Sequence, residues 1–338
     1  MFTYVIRRLL LAIPTFLGIT LITFVIINSA PGGPIEQKLQ KIRMGGGGGE
    51  GGGSSAQISQ EILDSLHKQY GFDKPVYERY FIWLKNIARL DFGESFSYQE
   101  PVIDVISQKF PVSLSFGIAS LILTYLVCIP LGVHKAIKAG SAFDQISGVI
   151  LYFMYSVPPL VLGILLIVWF AGGSHFDLFP IGNLVSDNYD SLSTWGKIVD
   201  RTHHFILPLT CYMFGSFTEL SILVRNSMLD VINSDYIRTA RSKGLADHIV
   251  YYKHALRNAL IPVATGLGGF LRVFLAGSLV IERIFNLDGI GLLSYNSILS
   301  RDYNVIMGIT FISAMLLLIG NIISDIIYVF VDPRIDFK

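Results

Sequence analysis

Charge is scarce in this sequence, and three ionisable residues stand where it is least expected. Glu219, Arg272 and Asp325 lie inside long apolar segments. An ionisable group in hydrocarbon costs at least a few kcal/mol, so each is a functional candidate by default. Counted from the inner ends of their segments, Glu219 and Arg272 sit ~9 Å and ~16 Å deep, at 1.5 Å per residue. A long Arg side chain can bridge that gap. A structural ion pair is therefore the expected role, ahead of direct ligand contact, and Asp325 falls close enough to the inner interface to be hydrated. His203-His204, with Asp200 nearby, could suggest a metal site. Adjacent helical side chains point about 100° apart, however, so the two histidines read as interface residues and no metal is expected. Cys128 and Cys211 each sit in an apolar run and read as small core residues. No Ser-His-Asp or paired-carboxylate arrangement stands out, so the chain is not expected to be an enzyme.

The longest polar stretch between apolar segments runs from Asn226 to Leu260 and contains Ser234-Asp-Tyr-Ile-Arg-Thr-Ala-Arg-Ser-Lys-Gly-Leu-Ala-Asp247. Ser234 or Asp235 can cap a helix start, and Gly244 is placed to end it. Asp247 can cap a second helix running to about Asn258. The pattern predicts two short helices at an angle, projecting Tyr236, Ile237 and Leu245 among basic residues. A solvated charged loop and a docking knob are equally good readings of that pattern.

These residues need a scaffold, and composition says which kind. Of 338 residues 52% are hydrophobic and only 15% charged, with a mean hydropathy of +0.55. An ordinary soluble domain carries about 25% charged residues, so much of this surface must face something other than water. The net charge of +1 excludes a strongly basic nucleic-acid binder. A bilayer core needs about 20 apolar residues per helix. Six segments meet that length: 9–30, 112–133, 146–170, 205–225, 261–281 and 305–330. The first follows Arg7 and Arg8, is too long for a signal peptide and reads as a retained span. Prolines 14, 130, 158, 159 and 208 interrupt several spans, as membrane helices tolerate.

Orientation follows from Lys and Arg in the short loops. With the N-terminus inside, the inner segments hold twelve: Arg7, Arg8, Lys135, Lys138, Arg225, Arg238, Arg241, Lys243, Lys253, Arg257, Arg334 and Lys338. The outer loops 171–204 and 282–304 hold four: Lys197, Arg201, Arg283 and Arg301. Both termini are expected to be cytoplasmic. The organisation is then residues 1–30 with the first span, an extracytoplasmic insertion at 31–111, and a core at 112–338 with the polar loop at 226–260. Within the insertion, 45–55 is nearly all glycine and serine and reads as a flexible linker. Ser59 to Leu66 reads as a short helix, and Val76 to Leu90 as an amphipathic one with Tyr80, Phe81 and Leu84 on one face. Spans three to five carry small and polar residues, among them Ser216 and the run Thr265-Gly-Leu-Gly-Gly269, which fit either close helix packing or a cavity wall.

Arg238-Thr-Ala-x-x-x-Gly244 resembles the coupling loop, the "EAA" motif, of ABC importer permeases. Arg and Thr stand where the motif's name has Glu and Ala, while Ala240 and Gly244 remain. Tyr236-Ile-Arg-Thr-Ala-Arg-Ser-Lys-Gly and His254-Ala-Leu-Arg-Asn-Ala-Leu-Ile-Pro262 are similar to the dipeptide/oligopeptide branch. So are Tyr4-x-x-Arg-Arg-Leu-Leu, Ala30-Pro-Gly-Gly-Pro, Asp91-Phe-Gly-x-Ser95, Asn286-x-x-Gly-x-Gly-Leu292, Arg301-Asp-Tyr303 and Val331-Asp-Pro-Arg-Ile335. Phe170-Ala-Gly-Gly-Ser-x-Phe-Asp-Leu-Phe-Pro180 and the ending Asp332-Pro-Arg-Ile-Asp-Phe resemble the YejB-type subgroup, associated with oligopeptides and microcin C.

The resemblance implies an all-α membrane protein with the ABC importer type I permease fold, in a bacterial inner membrane. It implies a second permease subunit, an ATPase subunit and a periplasmic peptide-binding protein as partners. ATP and Mg would be bound by the ATPase, since this chain has no G-x-x-x-x-G-K-[ST] and is expected to bind no cofactor itself. Tyr236, Arg238, Thr239, Ala240, Arg241, Gly244 and Leu245 would couple to the ATPase. Glu219, Arg272, Ser216 and Thr265 are the path or pair candidates. The competing class is an ion- or proton-coupled secondary transporter using Glu219 and Arg272. Such transporters commonly show internal repeats, and none is evident here.

Overall fold

The computed structural model describes residues 2–29, 74–172, 175–266 and 277–331. Helix dominates; among the described residues the only β pairing is two isolated bridges, Glu94 with Pro101 and Ala171 with Phe179. Three helices are long and apolar enough to cross a membrane by themselves, over Leu10–Ser29, Val102–Ile137 and Tyr303–Ile326. Two bent pairs raise the number to as many as five by length and composition. The expected fifth span, 261–281, is described only at its two ends. The linker 45–55 and the helix expected at 59–66 lie outside the described residues. The chain divides into two compact units.

One unit comprises Phe2–Lys109 with Leu293–Met315. Helix α1 (Phe2–Ser29) carries Pro14, and its Thr15, Thr20 and Ser29 hydroxyls donate back to carbonyls four residues earlier. Helix α2 (Val76–Ile87) lays Tyr80 onto α1, where its hydroxyl and that of Thr20 share a 3.0 Å hydrogen bond and its ring meets Phe24 edge-on. Phe81, expected on the same face, is exposed, because neighbours on a helix diverge by about 100°. Two of the quoted sequence motifs meet here. Asp302 is fully buried and accepts from the Ser95 hydroxyl at 2.5 Å and from the Ser97 and Val305 amides at 2.9 and 3.3 Å. It thus caps the helix that follows while fastening the 95–98 turn.

The other unit comprises Phe110–Leu292 and the chain from Leu316 onward. Helix α3 (Val102–Ile137) begins ten residues before the span expected from 112. After it, α4 (Ala142–Ser156) and α5 (Pro159–Phe170) form one broken pair, bent by 99°. Pro158 and Pro159 force the break: the residue before a proline is pushed out of the helical region, and Val157 is extended at φ −86°, ψ 117°. The span expected at 205–225 is a second broken pair, α6 (Thr194–Phe214) and α7 (Ser216–Ile232), bent by 50° at Gly215. It starts early because Ser193 caps α6, accepting from the Gly196 amide at 3.1 Å. Two short helices follow, α8 (Asp235–Ser242) and α9 (Ile261–Gly266), with an irregular helical arm between them. Then come α10 (Leu279–Ile284), α11 (Ile290–Leu299) and α12 (Tyr303–Val331), the last two shared between the units. Rows of large apolar side chains are exposed, such as Ile146, Val149, Ile150 and Phe153 on α4, the surface expected of a chain solvated by lipid.

Candidate functional site

The polar loop folds as a helical hairpin. Its first arm is α8. Its second runs through Asp247–Ile249, a π-helical stretch Val250–Ala255, and Leu256–Ala259. Ser234 takes the N-cap position of α8, but its hydroxyl donates to the Val231 carbonyl and no side chain caps the helix. Asp247 is the first residue of the second arm rather than its cap, and lies 3.7 Å from Arg241 Nε. Gly244 closes α8 in the left-handed region at φ +76°.

Ile237, expected to project, is instead fully buried with Val224, Met228, Val250, Ala255 and Ala259. The reason is amphipathy: with four basic residues between 238 and 253, the one aliphatic face of so short a helix is driven inward. Ala240 packs beside it. Tyr236, Arg238, Thr239, Arg241 and Leu245 remain exposed. Cross-links between the arms fix them: Asn258 Nδ2 donates to the Tyr236 hydroxyl at 2.7 Å, and Arg241 donates to the Tyr251 hydroxyl at 2.7 Å while stacking over its ring. Thr239 donates to the Asp235 carbonyl at 3.0 Å, and Arg238 sits 3.8 Å from Asp235.

The same unit holds a charge cluster that sequence reasoning missed. Asp144 on α4 accepts from Arg225 of α7 through Nε at 2.8 Å and Nη2 at 2.6 Å, and from the Gly140 amide at 3.1 Å. Lys135, near the end of α3 and only 2% exposed, lies 3.1 Å from the same carboxylate and donates to the Asp144 carbonyl and the Ser147 hydroxyl. The Arg225 hydrogen bonds hold the Asp144 carboxyl well below the usual carboxylate range, against the opposing effect of burial. Lys135 and Arg225 had been read only as inside-positive charges. The pattern Ser141-x-x-Asp144 was the available signal: it is a capping-box spacing, and Ser141 does accept from the Asp144 amide at 3.4 Å.

Further along the same unit, the two helix breaks and the start of α10 line a half-open cavity of about 350 Å³. Its wall comprises Tyr155, Val157 and Pro159 at the first break, Cys211, Tyr212, Phe214, Gly215, Ser216 and Glu219 at the second, and Ser278 and Ile281. Glu219 is exposed, and no hydrogen bond or ion pair joins it to a described residue. Arg272, its expected partner, lies outside the described residues. Thr265 falls in α9, with its side chain outside the described set. Tyr212 holds one edge of the cavity by accepting from the Ser278 amide at 3.0 Å. Behind it Glu282 is fully buried, accepting from the Leu292 amide at 2.6 Å and the Ser113 hydroxyl at 3.0 Å. A Cβ at Gly289 would collide with its Oε1, which accounts for the first glycine of Asn286-x-x-Gly-x-Gly.

His204 is buried and engages the Gly182 and Asn183 carbonyls and the Ser186 hydroxyl, whereas His203 is exposed; the two do not converge. No three His, Cys, Asp or Glu side chains among the described residues gather as a metal set.

A helical unit with exposed apolar faces, a basic hairpin packed on its helices and a cavity at paired helix breaks fit a transport component. The chain belongs to the family of binding-protein-dependent transport system inner membrane components, whose family model matches residues 128–337. It is similar along its full length to two permease proteins called YejB. One, from Agrobacterium fabrum, is described as a peptidoglycan transport system permease and is 44% identical over 99% of this chain and 98% of that protein. The other, an inner membrane ABC transporter permease from Escherichia coli O157:H7, is 43% identical over 99% of both. The oligopeptide transport system permease AppB of Bacillus subtilis is 38% identical over the whole of both chains.

Proposed function

We propose that this chain is the membrane-spanning permease subunit of an ATP-driven importer for oligopeptides or peptide-like compounds, microcin C being one candidate. The observation that carries this reading is the end-to-end similarity to permeases named for peptide and peptidoglycan transport. In the proposal six spans cross the membrane with both termini cytoplasmic. The segment 31–111 meets the periplasmic binding protein, and 112–338 forms half of the path against a second permease. ATP and Mg are bound by the ATPase subunit.

The hairpin from Asp235 to Ala259 docks on that ATPase through Tyr236, Arg238, Thr239, Arg241 and Leu245, with Ala240 and Gly244 shaping it. What supports this role is its construction. The exposed set is held by bonds between the arms, and Ile237 is locked into the core shared with α3 and α7. A push on the hairpin is therefore transmitted to membrane helices rather than absorbed by a loop. Ser216 and Glu219 line the path, with Arg272 and Thr265 as further candidates.

Reconstitution of the chain with its co-purified subunits in proteoliposomes tests the reading. ATP should drive uptake of a labelled tripeptide, and a protonophore should leave uptake intact while ATP lasts. Uptake that follows the proton gradient without ATP would instead establish a secondary transporter.

A further inference from the structure

Among the described residues Asp144, Glu282 and Asp302 each accept at least three hydrogen bonds or ion-pair contacts. Glu219 makes none to a described residue. It stands in an apolar segment, one turn past the α6–α7 break, on the wall of the 350 Å³ cavity. The rest of that wall is aromatic and apolar, with Tyr155, Phe214, Val157 and Pro159, apart from the Ser216 and Ser278 hydroxyls. Ser278 is committed to capping α10, where its hydroxyl accepts from the Ile281 amide. Tyr212 is committed to the Ser278 amide.

We propose that this cavity receives an ammonium group of the passing peptide, with Glu219 as its counter-charge. This rests on the peptide-import reading. A carboxylate beside aromatic faces is the chemistry that selects an organic cation over an anion or a neutral amide. The volume stands at the lower end of small-ligand pockets, so it holds one end of a peptide or one side chain rather than a whole oligopeptide. The helix breaks serve the same purpose. Residues at both breaks, Val157 and Pro159 at the first and Gly215 and Ser216 at the second, line the cavity.

The ammonium can be the peptide's N-terminus or a lysine side chain. The test therefore compares three peptides in proteoliposomes holding the complete importer: trialanine, N-acetyl-trialanine, and an N-acetylated peptide with one lysine. Glu219→Gln should lower trialanine uptake about tenfold relative to the wild type and change N-acetyl-trialanine uptake by less than twofold. A loss for the acetylated lysine peptide as well would show that a side-chain ammonium is also accepted; no loss restricts the site to the N-terminus. Glu219→Asp should restore most of the trialanine uptake.

A second arm serves if the wild type carries no acetylated peptide. A peptide α-amine loses its charge near pH 8. The wild-type to Glu219→Gln ratio should then fall from about ten at pH 6.5 toward one at pH 9.5. Other titrations, including those of Tyr155, Tyr212 and Cys211 on the same wall, are common to both proteins and cancel in the ratio. Equal losses for acetylated and free peptides, as a purely structural ion pair would give, or a ratio flat with pH, would overturn the proposal. Absence of ATP-driven peptide uptake by the wild type would overturn the import reading itself, a separate result.

Discussion

Asp144 and Glu219 are both acids carried by helices of the same unit, and their surroundings are opposite. Asp144 is buried against a guanidinium, an ammonium and a backbone amide, which together join the end of α3 and the start of α4 to the middle of α7. Glu219 faces a cavity at the break between α6 and α7. Two charges taken from water are tolerable when geometry and further hydrogen bonds compensate them, and Asp144 meets that condition. A carboxylate with no donor among the described residues stays available. The first arrangement ties three helices together; the second leaves the place proposed for a ligand. Under the proposed orientation the fixed end lies beside the hairpin, where force must be transmitted, and the open one lies deeper, where cargo must pass.

The largest effect should come from breaking the fixed end. Asp144→Ala leaves Lys135 buried without its counter-ion and Arg225 beside it. Stranding a buried charge costs about 3–5 kcal/mol, so the purified permease complex should lose roughly 5–10 °C in Tm. The contribution of Asp144 is complete above about pH 4, the ordinary carboxylate value. Because its folded-state value is depressed, that contribution is lost only as pH falls through the lower value. The wild type and Asp144→Ala should therefore differ by a constant amount from pH 5 to 8. A difference that vanished within that window would show that Asp144 is not held ionised by Arg225.

Glu282 is the next test, because it too is saturated, though by hydrogen bonds rather than ion pairs. Glu282→Gln keeps the shape but places an amide donor against the Leu292 amide or the Ser113 hydroxyl. One mispaired buried group costs about 1–3 kcal/mol. The complex should lose less Tm than Asp144→Ala does, and a loss as large would mean that the two carboxylates differ less than their partners suggest.

The sequence alone carried the family, the three unbroken apolar helices and the loop from 226 to 260, since these are properties of contiguous residues. Gly244 as the end of a helix was legible for the same reason: its role depends on its own backbone. Ile237 was misread because burial of one face in an eight-residue helix depends on what lies under it, here Val224 and Val250. The bend at Val157 was half legible: Pro158 and Pro159 marked the place, but a proline in a membrane segment fits a kinked helix as well as a broken one. The bend at Gly215 was not marked, since Pro208 lies within α6, seven residues before it. The Lys135–Asp144–Arg225 cluster was hidden because its members are up to 90 residues apart and each has an ordinary reading alone. Glu219 was singled out with Arg272 as its expected partner, and Arg272 lies outside the described residues.

Gly244→Leu separates the hairpin from both carboxylates. Nothing lies within 4 Å of a Cβ placed there, so the penalty is conformational alone. A left-handed non-glycine residue costs about 1–2 kcal/mol. The turn between the arms should relax to another conformation while the rest of the unit is undisturbed. ATP hydrolysis by the assembled importer should continue while peptide uptake falls several-fold, with insertion into the membrane unchanged. Unchanged uptake and unchanged peptide-stimulated hydrolysis would remove the hairpin from the coupling route.

The smallest stability effect should belong to Glu219→Gln, and that smallness is informative. If Glu219 were a structural partner like Asp144, neutralising it would strand a cation inside the membrane unit and cost several kcal/mol. If it faces a hydrated cavity, neutralisation leaves no buried charge behind, and surface-type substitutions stay within about 0.5 kcal/mol. The Tm of the Glu219→Gln complex should then lie within about 2 °C of the wild type in the absence of peptide. The same variant should lose the extra thermal stability that trialanine confers on the wild-type complex, because a ligand stabilises only the state that binds it. A large Tm loss without peptide, matched by a second loss in Arg272→Gln and not increased in the double variant, would place Glu219 with the fixed carboxylates and end the contrast with Asp144.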